Sequence, residues 1–237
     1  YADAMPPLLE CLVIARETGD TAREAAVLQP LGMAANGLGD TDAARRYAGD
    51  AVAAARTLGN ARQLASACIA LAQLDRMGGR FDAAISAYGE ALSLARGFGD
   101  QEYIAAAQLN LAMVHLTQGD VAPARGLLQD VITIAAQIGS RPAAIGVLDV
   151  ACGLAVLAGD MHQAALLHGL AEAENAQSGI HRDAADEAFL EPFMAAARLS
   201  LGAGFDAAQQ AGRTAGFDTV WAGLLAWLDV AQAATPG

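Results

Sequence analysis

The sequence predicts an all-α protein, an α-solenoid built from short antiparallel helix pairs. Glycine recurs at a fixed step of 20 residues, and most of these glycines precede an Asp, Asn or Ser, residues that favour a helix start. Because glycine readily ends a helix in the left-handed conformation, each junction combines a helix stop with a helix start. The composition agrees, since 54% of the residues are hydrophobic and only 5% are aromatic, which suits closely packed helices. The periodic glycines are Gly19, Gly39, Gly59, Gly79, Gly99, Gly119, Gly139, Gly159 and Gly179.

Two kinds of 20-residue block alternate, so the structural repeat is a pair of helices spanning 40 residues, which we name helix A and helix B. At equivalent positions of each block a small residue recurs, and we expect these side chains to let the paired helices approach closely. In helix A the small residue is the second member of the pairs Leu31-Gly32, Leu71-Ala72, Leu111-Ala112 and Ala151-Cys152. In helix B it is Ala44, Ala84, Ala124 and Ala164, and the position seven residues later carries Ala51, Ala91, Val131 and Ala171. The larger residues expected to fill the gaps are Tyr88, Leu128, Leu58, Phe98 and Ile138.

The period divides the chain into a repeat region, residues 1–179, and a C-terminal cap, residues 180–237. The repeat region is predicted to be one stack without an internal boundary. Its parts are a half repeat at 1–19 and full pairs at 20–59, 60–99, 100–139 and 140–179. Residues 176–187 are polar and acidic and are expected to form a longer connection. Atypical terminal helices cover the last apolar face of a solenoid, and here they are predicted at Ala184 to Leu201, Phe205 to Ala215 and Phe217 to Ala234.

The first 18 residues are predicted to form a helix B that lacks its helix A. Its apolar residues at helix B positions are Ala4, Leu8, Cys11 and Ile14. Because Tyr1 is not an initiator methionine, we expect further chain before it. A solenoid end without its neighbour exposes apolar surface, so a second copy or another chain is expected to cover this end.

The helix pairs resemble the tetratricopeptide repeat. That family carries Leu-Gly-x2-Tyr followed by Ala-x3-Phe, which is matched in part by Leu31-Gly32, by Leu71-Ala72 and by Ala84-x3-Tyr88. The usual tryptophan and final proline are absent, and the period exceeds the usual one of about 34 residues, so longer helices are expected. HEAT and armadillo repeats have periods of this length, but the recurring small residues favour the tetratricopeptide interpretation.

The C-terminal segment carries a second resemblance. The run Phe205-Asp206-Ala207-Ala208 and the later run from Gly212-Arg213 to Val220 resemble the end of the repeat region in large multidomain bacterial regulators. Gly216-Phe217 and the single acidic Asp218 depart from that pattern. The resemblance implies an ATPase module upstream and a LuxR-type or winged-helix DNA-binding domain elsewhere in the full protein.

Charge and cysteine usage restrict the partners and the compartment. The formal net charge is -12 and no basic stripe is visible, so direct nucleic-acid binding by this chain is not expected. The three cysteines, Cys11, Cys68 and Cys152, lie far apart within predicted helices and are interpreted as buried free thiols. The most apolar stretch, Ala143 to Ala158, is too short to span a bilayer. A cytoplasmic location without membrane contact is therefore predicted.

In tetratricopeptide folds the A helices line the concave face, so the resemblance implies a binding surface there. The residues predicted to form it, which we name the groove positions, are Gln29, Met33, Asn36, Ile69, Gln73, Arg76, Met77, Leu109, Met113 and Leu116. Asp149 and Val156 are expected to be exposed on the same face. Methionines there suit an adaptable surface for a partner helix or an extended peptide. Alternatively, the C-terminal helices fill the groove themselves. Since only Arg76 offers a positive charge, recognition of acidic chain ends is not expected.

The sequence predicts neither a catalytic site nor a metal or cofactor site. His162 and His168 are six residues apart and lack a carboxylate or cysteine at ligand spacing. His115 is interpreted as a packed, hydrogen-bonded residue. A cluster of acidic residues and one histidine lacks the ligand order of an EF-hand calcium loop, and it is interpreted as a solvent-exposed connection between helices. Its members are Glu172, Glu174, His181, Asp183, Asp186 and Glu187.

These observations predict a non-catalytic module for protein interaction and sensing, part of a larger bacterial regulator of signal transduction or transcription. Its partners would be a protein or peptide and the upstream domains of the same protein, with a homodimer as a further candidate. The alternative is a sensor domain that binds a small molecule or peptide inducer on the concave face. That alternative requires a closed pocket with convergent polar groups, whereas an interaction module requires a broad apolar face.

Overall fold

The computed structural model describes the backbone of residues 1–233 and the side chains of residues 1–228. In this part of the chain there are twelve α-helices and no strand, which confirms the all-α fold class. The helices are α1 (Met5–Thr18), α2 (Thr21–Gly37), α3 (Thr41–Leu58), α4 (Ala61–Met77), α5 (Phe81–Phe98), α6 (Gln101–Thr117), α7 (Val121–Ile138), α8 (Arg141–Leu157), α9 (Met161–Ser178), α10 (Ala184–Leu201), α11 (Gly204–Thr214) and α12 (Phe217–Ala233).

Helices α1 to α9 follow the predicted alternation, with the even-numbered members as helix A and the odd-numbered ones as helix B. The helix A members are 17 residues long and the full-length helix B members are 18, for example α4 and α5. The predicted cap helices are also present, and α10 has the predicted bounds. The connection before it is shorter than expected, because α9 continues to Ser178 and α10 begins at Ala184. Ala234 lies outside the described residues.

The chain forms two compact units, Tyr1–Val114 and His115–Gly237, with the division inside α6. In the first unit α1 packs against α2, α2 against α3, α3 against α4 and α4 against α5, as in a tetratricopeptide-like solenoid. The second unit begins in the same way, with α7 against α8 and α8 against α9. There the order changes, because α10 packs against both α8 and α9, and α11 packs mainly against α9. The assignment of residues 1–179 to repeats and 180–237 to a cap stays a prediction.

The periodic glycines act as the sequence predicts. All nine have positive φ, between 67° and 82°, a region that residues with a side chain rarely adopt. The amide that follows a periodic glycine donates back across the helix end, as from Asp20 to the Ala15 carbonyl and from Asp40 to the Ala35 carbonyl. This pattern satisfies carbonyl groups that the helix itself leaves without a partner. The period is therefore a series of C-terminal helix caps.

The residue after each glycine caps the next helix in most repeats. The carboxylate of Asp20 accepts a hydrogen bond from the Arg23 amide, and five further capping residues act in the same way. These are Asp40, Asn60, Asp100, Ser140 and Asp160. Asp120 does not cap α7 through its side chain, which corrects the prediction. Its carboxylate oxygen lies 3.7 Å from His115 Nδ1 instead.

Small residues hold the paired helices close in the first unit, as predicted. A methyl group added at Gly32 of α2 would lie 3.5 Å from the Ala44 carbonyl oxygen of α3, an ordinary contact that explains why alanine serves at the equivalent Ala72. Tyr88 is fully buried and donates a hydrogen bond of 3.0 Å to Asn110 Oδ1. Two of the residues expected to fill gaps do not: Leu58 and Ile138 are partly exposed, because each forms the last turn of its helix.

In the second unit the closest packing is between α9 and α11. A methyl group at Gly169 would collide with the backbone carbonyl of Gln209, and one at Gly212 would collide with that of Leu166. Each helix therefore needs a glycine where the other passes. Beside this crossing, Gln209 Nε2 donates to His168 Nδ1 over 2.8 Å.

Two of the three cysteines are buried free thiols as predicted, namely Cys68 and Cys152, whereas Cys11 is half-buried. Burial raises the pKa of Cys68 to about 12, so this thiol is protonated at neutral pH. None of the described helices combines the length and the apolar character that a helix needs to cross a membrane.

Candidate functional site

The groove positions occupy equivalent places on successive A helices. On each helix they are spaced by four and then three residues, so they share one helix face. The equivalent residues are Gln29, Met33 and Asn36 on α2; Ile69, Gln73 and Arg76 on α4; Leu109, Met113 and Leu116 on α6; and Asp149, Gly153 and Val156 on α8. Met77 follows Arg76 at the end of α4.

On α2 and α4 this face is partly open. Met33 is 63% exposed and Met77 is 42% exposed. Four other groove positions on these helices are half-buried, namely Gln29, Asn36, Ile69 and Gln73. Gln29 Nε2 donates to Ser66 Oγ over 3.2 Å, which links α2 to α4. The first unit thus presents two exposed methionines on helices whose other groove positions include half-buried amide side chains.

The expectation that all the groove positions are exposed is wrong for four of them. Arg76, Leu109, Met113 and Leu116 are buried. Sequence spacing establishes that they share a face with Met33, but spacing carries no information on what lies over that face. Burial thus increases from α2 to α6 at equivalent positions. The binding role of all ten residues stays a prediction.

On α8 the equivalent face is covered by the region around α10. Asp149, which the sequence predicts to be exposed, is buried and receives two hydrogen bonds from Arg182, from Nε over 2.8 Å and from Nη2 over 2.7 Å. Burial raises the pKa of the Asp149 carboxyl, and the bonds from Arg182 oppose that shift. Burial alone would lower the pKa of Arg182, but its bonds to Asp149 raise it overall. Both charged groups are shielded from water, so each is stabilised by its ion pair with the other.

On α8, Gly153 is equivalent to the groove positions at which α2 and α6 carry methionine. A methyl group there would lie 3.0 Å from Phe189 and 3.2 Å from Phe193, both on α10. The two rings are themselves in contact, with centroids 5.2 Å apart. Helix α10 therefore fills the groove face of α8, in agreement with the alternative that the sequence left open, and it does so with aromatic residues at i and i+4.

Sequence reasoning missed Arg182, Phe189 and Phe193 as the residues that occupy this face. Two signals were present in the sequence. Asp149 is a charged residue inside a strongly apolar helix, and such a residue requires a partner. Gly153 replaces a large residue at a groove position, which indicates that another element approaches there.

Four of the six members of the acidic cluster take part in ion pairs or a helix cap. Arg141 pairs with Glu174, which is buried rather than solvated as predicted, and Arg213 pairs with Glu172. Glu187 lies 3.6 Å from Arg182. The Asp183 carboxylate caps α10 by accepting from the amides at 185 and 186. Among the described residues, no group of three or more His, Cys, Asp or Glu side chains is placed to hold a metal ion.

His168 and His115 differ in their burial and in their hydrogen bonds. Burial lowers the pKa of His168, although the nearby Glu172 carboxylate opposes that effect. Its Nδ1 accepts from Gln209, which places the ring proton on Nε2, 3.6 Å from Glu172 Oε1. His115 is half-buried, but its Nδ1 has no hydrogen bond in the described part of the chain, which corrects the expectation for that residue.

Asn175 is the buried polar residue that stands out in the second unit. It is 9% exposed, and neither atom of its carboxamide has a hydrogen-bond partner among the described residues. The equivalent positions of the other B helices are all buried alanines, namely Ala15, Ala55, Ala95 and Ala135. An amide group thus occupies a place where the repeat otherwise carries a methyl group.

Comparison with known families identifies one region of the chain. Residues 63–137, from α4 into α7, match the family model described as tetratricopeptide repeat. The match covers less than half of the chain and confirms a tetratricopeptide-like region there. Repeats of this family commonly mediate protein–protein interaction and are generally non-catalytic. A search among curated proteins found no match to the chain. The resemblance of the C-terminal segment to bacterial regulators stays a prediction.

Proposed function

We propose that this chain is a non-catalytic protein-interaction module whose first unit binds an amphipathic partner helix on the groove positions of α2 and α4. The tetratricopeptide match over residues 63–137 supports the general class, because these repeats commonly bind proteins. The specific proposal depends on one difference between helices: the face that carries the groove positions and their equivalents is covered on α8 but partly open on α2 and α4. Helix α10 fills it on α8, whereas Met33 and Met77 remain exposed on α2 and α4.

The contact of α10 with α8 supplies a template for the partner. There an aromatic pair at i and i+4 lies against the groove face, and an arginine next to the helix pairs with a groove carboxylate. On α2 and α4 the groove positions that would contact a partner helix carry methionine, isoleucine and glutamine. Methionine adapts its shape and contacts aromatic rings favourably. The expected partner is therefore a helix with aromatic or large aliphatic residues at i and i+4 and polar residues beside them.

We further propose that the module belongs to a larger cytoplasmic regulator of signalling or transcription. The resemblance of the segment from Phe205 to Val220 to such regulators supports this context. In that setting the partner helix would come from another domain of the same protein or from a second protein, and occupation of the groove would hold those domains in one arrangement.

A selected peptide library tests the binding proposal. Helical peptides with randomised residues at the i and i+4 positions would be selected on the wild-type chain, and their Kd would be measured by fluorescence polarisation. We expect micromolar binding that weakens by about tenfold or more in the double variant Met33→Glu, Met77→Glu, because each change places a charge in the apolar contact.

Leu199→Glu is the matched control. Leu199 is 88% exposed on α10, so the change adds the same charge at an apolar surface residue outside the groove positions. Peptides that bind the groove should keep their Kd in this variant. If the selected peptides bind the double variant as well as they bind wild type, the groove proposal is wrong. A metabolite that raises the Tm saturably, without any peptide binding, would favour the inducer-sensor alternative instead.

A further inference from the structure

A buried carboxylate in the first unit holds two arginines. Asp75, near the end of α4, is 2% exposed. Its Oδ1 accepts a hydrogen bond from Arg45 Nε over 2.6 Å and another from Arg80 Nε over 2.7 Å. Because both Nε atoms contact one oxygen, they lie at most about 5 Å apart. One side chain comes from α3 and the other from the residue before α5, so three helices meet at this carboxylate.

The two guanidinium groups keep most of their donors available. Each carries five N–H donors in a rigid plane. Within the described chain Arg45 donates through Nε alone, and Arg80 donates through Nε and through Nη2 to the Leu74 carbonyl over 3.3 Å. Both side chains are a little under half exposed, so the remaining donors reach water. Gly78 makes room for Arg80, since a methyl group there would lie 2.5 Å from Nη1.

The charges at this place do not balance. Two positive groups share one negative group, in a chain whose formal net charge is -12. Asp42 and Asp82 lie in the first turns of α3 and α5, but within the described residues neither is at ion-pair distance from Arg45 or Arg80. By contrast, Arg56 pairs with the single carboxylate of Glu90 over 2.6 Å. In that pair one arginine joins α3 to α5 through one acid.

We propose that Arg45 and Arg80 form a binding site for an oxyanion group, a carboxylate or a phosphoryl group, with Asp75 as the positioning residue. Asp75 engages the Nε group of each arginine, so both Nη groups of Arg45 and Nη1 of Arg80 make no hydrogen bond within the described residues. Two guanidinium groups whose Nε atoms lie this close can both donate to the oxygens of one anion, and charge-assisted hydrogen bonds from arginine to phosphate and carboxylate are strong. This site uses none of the groove positions, so it does not depend on the proposed function.

The test measures anion binding directly. Arginine side-chain Nε–H signals of the full chain, labelled with ¹⁵N, would be followed by NMR during titration with inorganic phosphate. We expect saturable shifts for Arg45 and Arg80 in the millimolar range. In Arg45→Gln and in Arg80→Gln the affinity for phosphate should fall by about tenfold or more, because each change removes one of the two guanidinium groups.

Arg56→Gln is the matched control, since it removes an exposed arginine whose charge is already balanced. Phosphate binding at Arg45 and Arg80 should be unchanged in it. Two peptide pairs distinguish the source of the anion: a phosphoserine peptide against its serine form, and a peptide with a free C-terminal carboxylate against its amide. Shifts from any of these anions that depend on both arginines support the site. The proposal is overturned if the shifts do not saturate, or if Arg56→Gln weakens binding as much as Arg45→Gln does.

Discussion

At the scale of single residues, two buried polar side chains that depart from the apolar repeat pattern have a partner that explains the departure. Asp149 stands on an apolar helix because Arg182 binds it, and His168 lies in the core of the second unit because Gln209 binds it. Asn175 differs from these residues, because neither polar atom of its buried carboxamide has a hydrogen-bond partner among the described residues. Unsatisfied polar groups of this kind lower stability, so Asn175 is a weak point of α9.

Replacing Asn175 with alanine should stabilise the protein. The change restores the residue found at Ala15, Ala55, Ala95 and Ala135 and removes two unsatisfied polar atoms. We expect the free energy of unfolding to rise by about 1 kcal/mol or more, measured by urea denaturation. Gln177→Ala, at an exposed position of the same helix, serves as the control and should change it by less than about 0.5 kcal/mol. A loss of stability in Asn175→Ala would mean that the carboxamide has a partner.

Stability should also depend on pH through His168. Burial lowers its folded-state pKa below the ordinary value of 6.5, so the unfolded chain binds a proton before the folded chain does as pH falls. The charged groups that act on it are Glu172 from α9, Arg182 before α10, Arg198 from α10 and Arg213 from α11. The contribution of neutral His168 is complete above pH 6.5 and is lost progressively as pH falls from there toward the folded-state pKa.

Denaturation measured at several pH values between about 6.5 and 5 checks this prediction. His168→Gln removes the titrating group and should flatten the pH dependence in that window, although it lowers stability at neutral pH. His162→Gln, a change at an exposed histidine, should leave the slope unaltered. Equal slopes in wild type and His168→Gln would show that His168 does not carry the effect.

At the scale of helices, the crossing of α9 and α11 is the most demanding contact. Both Gly169 and Gly212 face a backbone carbonyl of the opposite helix, and the space left is too small for a methyl group. Overpacking of this kind forces the helices apart, and the hydrogen bond between Gln209 and His168 would be disturbed with them. The glycines therefore determine how α11 lies on α9.

Gly169→Ala and Gly212→Ala should each lower the free energy of unfolding by about 2 kcal/mol or more, since the obstacle is backbone and not a flexible side chain. Chemical denaturation followed by circular dichroism provides the measurement. Gly126→Ala on α7 is the matched control, because nothing lies within 4 Å of its added methyl group. It should be neutral or stabilising by about 1 kcal/mol, through better helix propensity. Tolerance of alanine at both crossing positions would contradict the close approach.

The sequence was sufficient to predict where the helices end but not which helix faces are covered. Helix ends depend on local chemistry, so a left-handed glycine such as Gly59 and a capping residue such as Asn60 sufficed to place them. The burial of Leu109 and Met113 was not predictable in this way, because the spacing of residues along a helix does not show what packs against it. The covering of α8 by α10 is of the same kind. It involves Arg182 and Phe189, which lie more than 30 residues beyond their contacts on α8.

At the scale of the whole molecule, the two compact units contain the same kind of helix pair. They differ in whether the groove face of the A helices is covered. In the second unit the groove face of α8 is filled by the chain's own α10, whereas in the first unit the face on α2 and α4 keeps two exposed methionines. A filled face supports stability, and an open apolar face is available for a partner. The separate cluster of Arg45, Asp75 and Arg80 adds a second surface with a different chemistry.

Methionine oxidation tests this central claim most directly, because open and covered methionines are compared in one sample. Native protein would be treated briefly with hydrogen peroxide, and the sulfoxide at each methionine would be quantified by mass spectrometry. The account predicts that Met33 and Met77 oxidise several-fold faster than Met113 and Met194, which are buried on α6 and α10. Equal rates at Met33 and Met194 would contradict it, because the face on α2 would then be as covered as the interior side of α10.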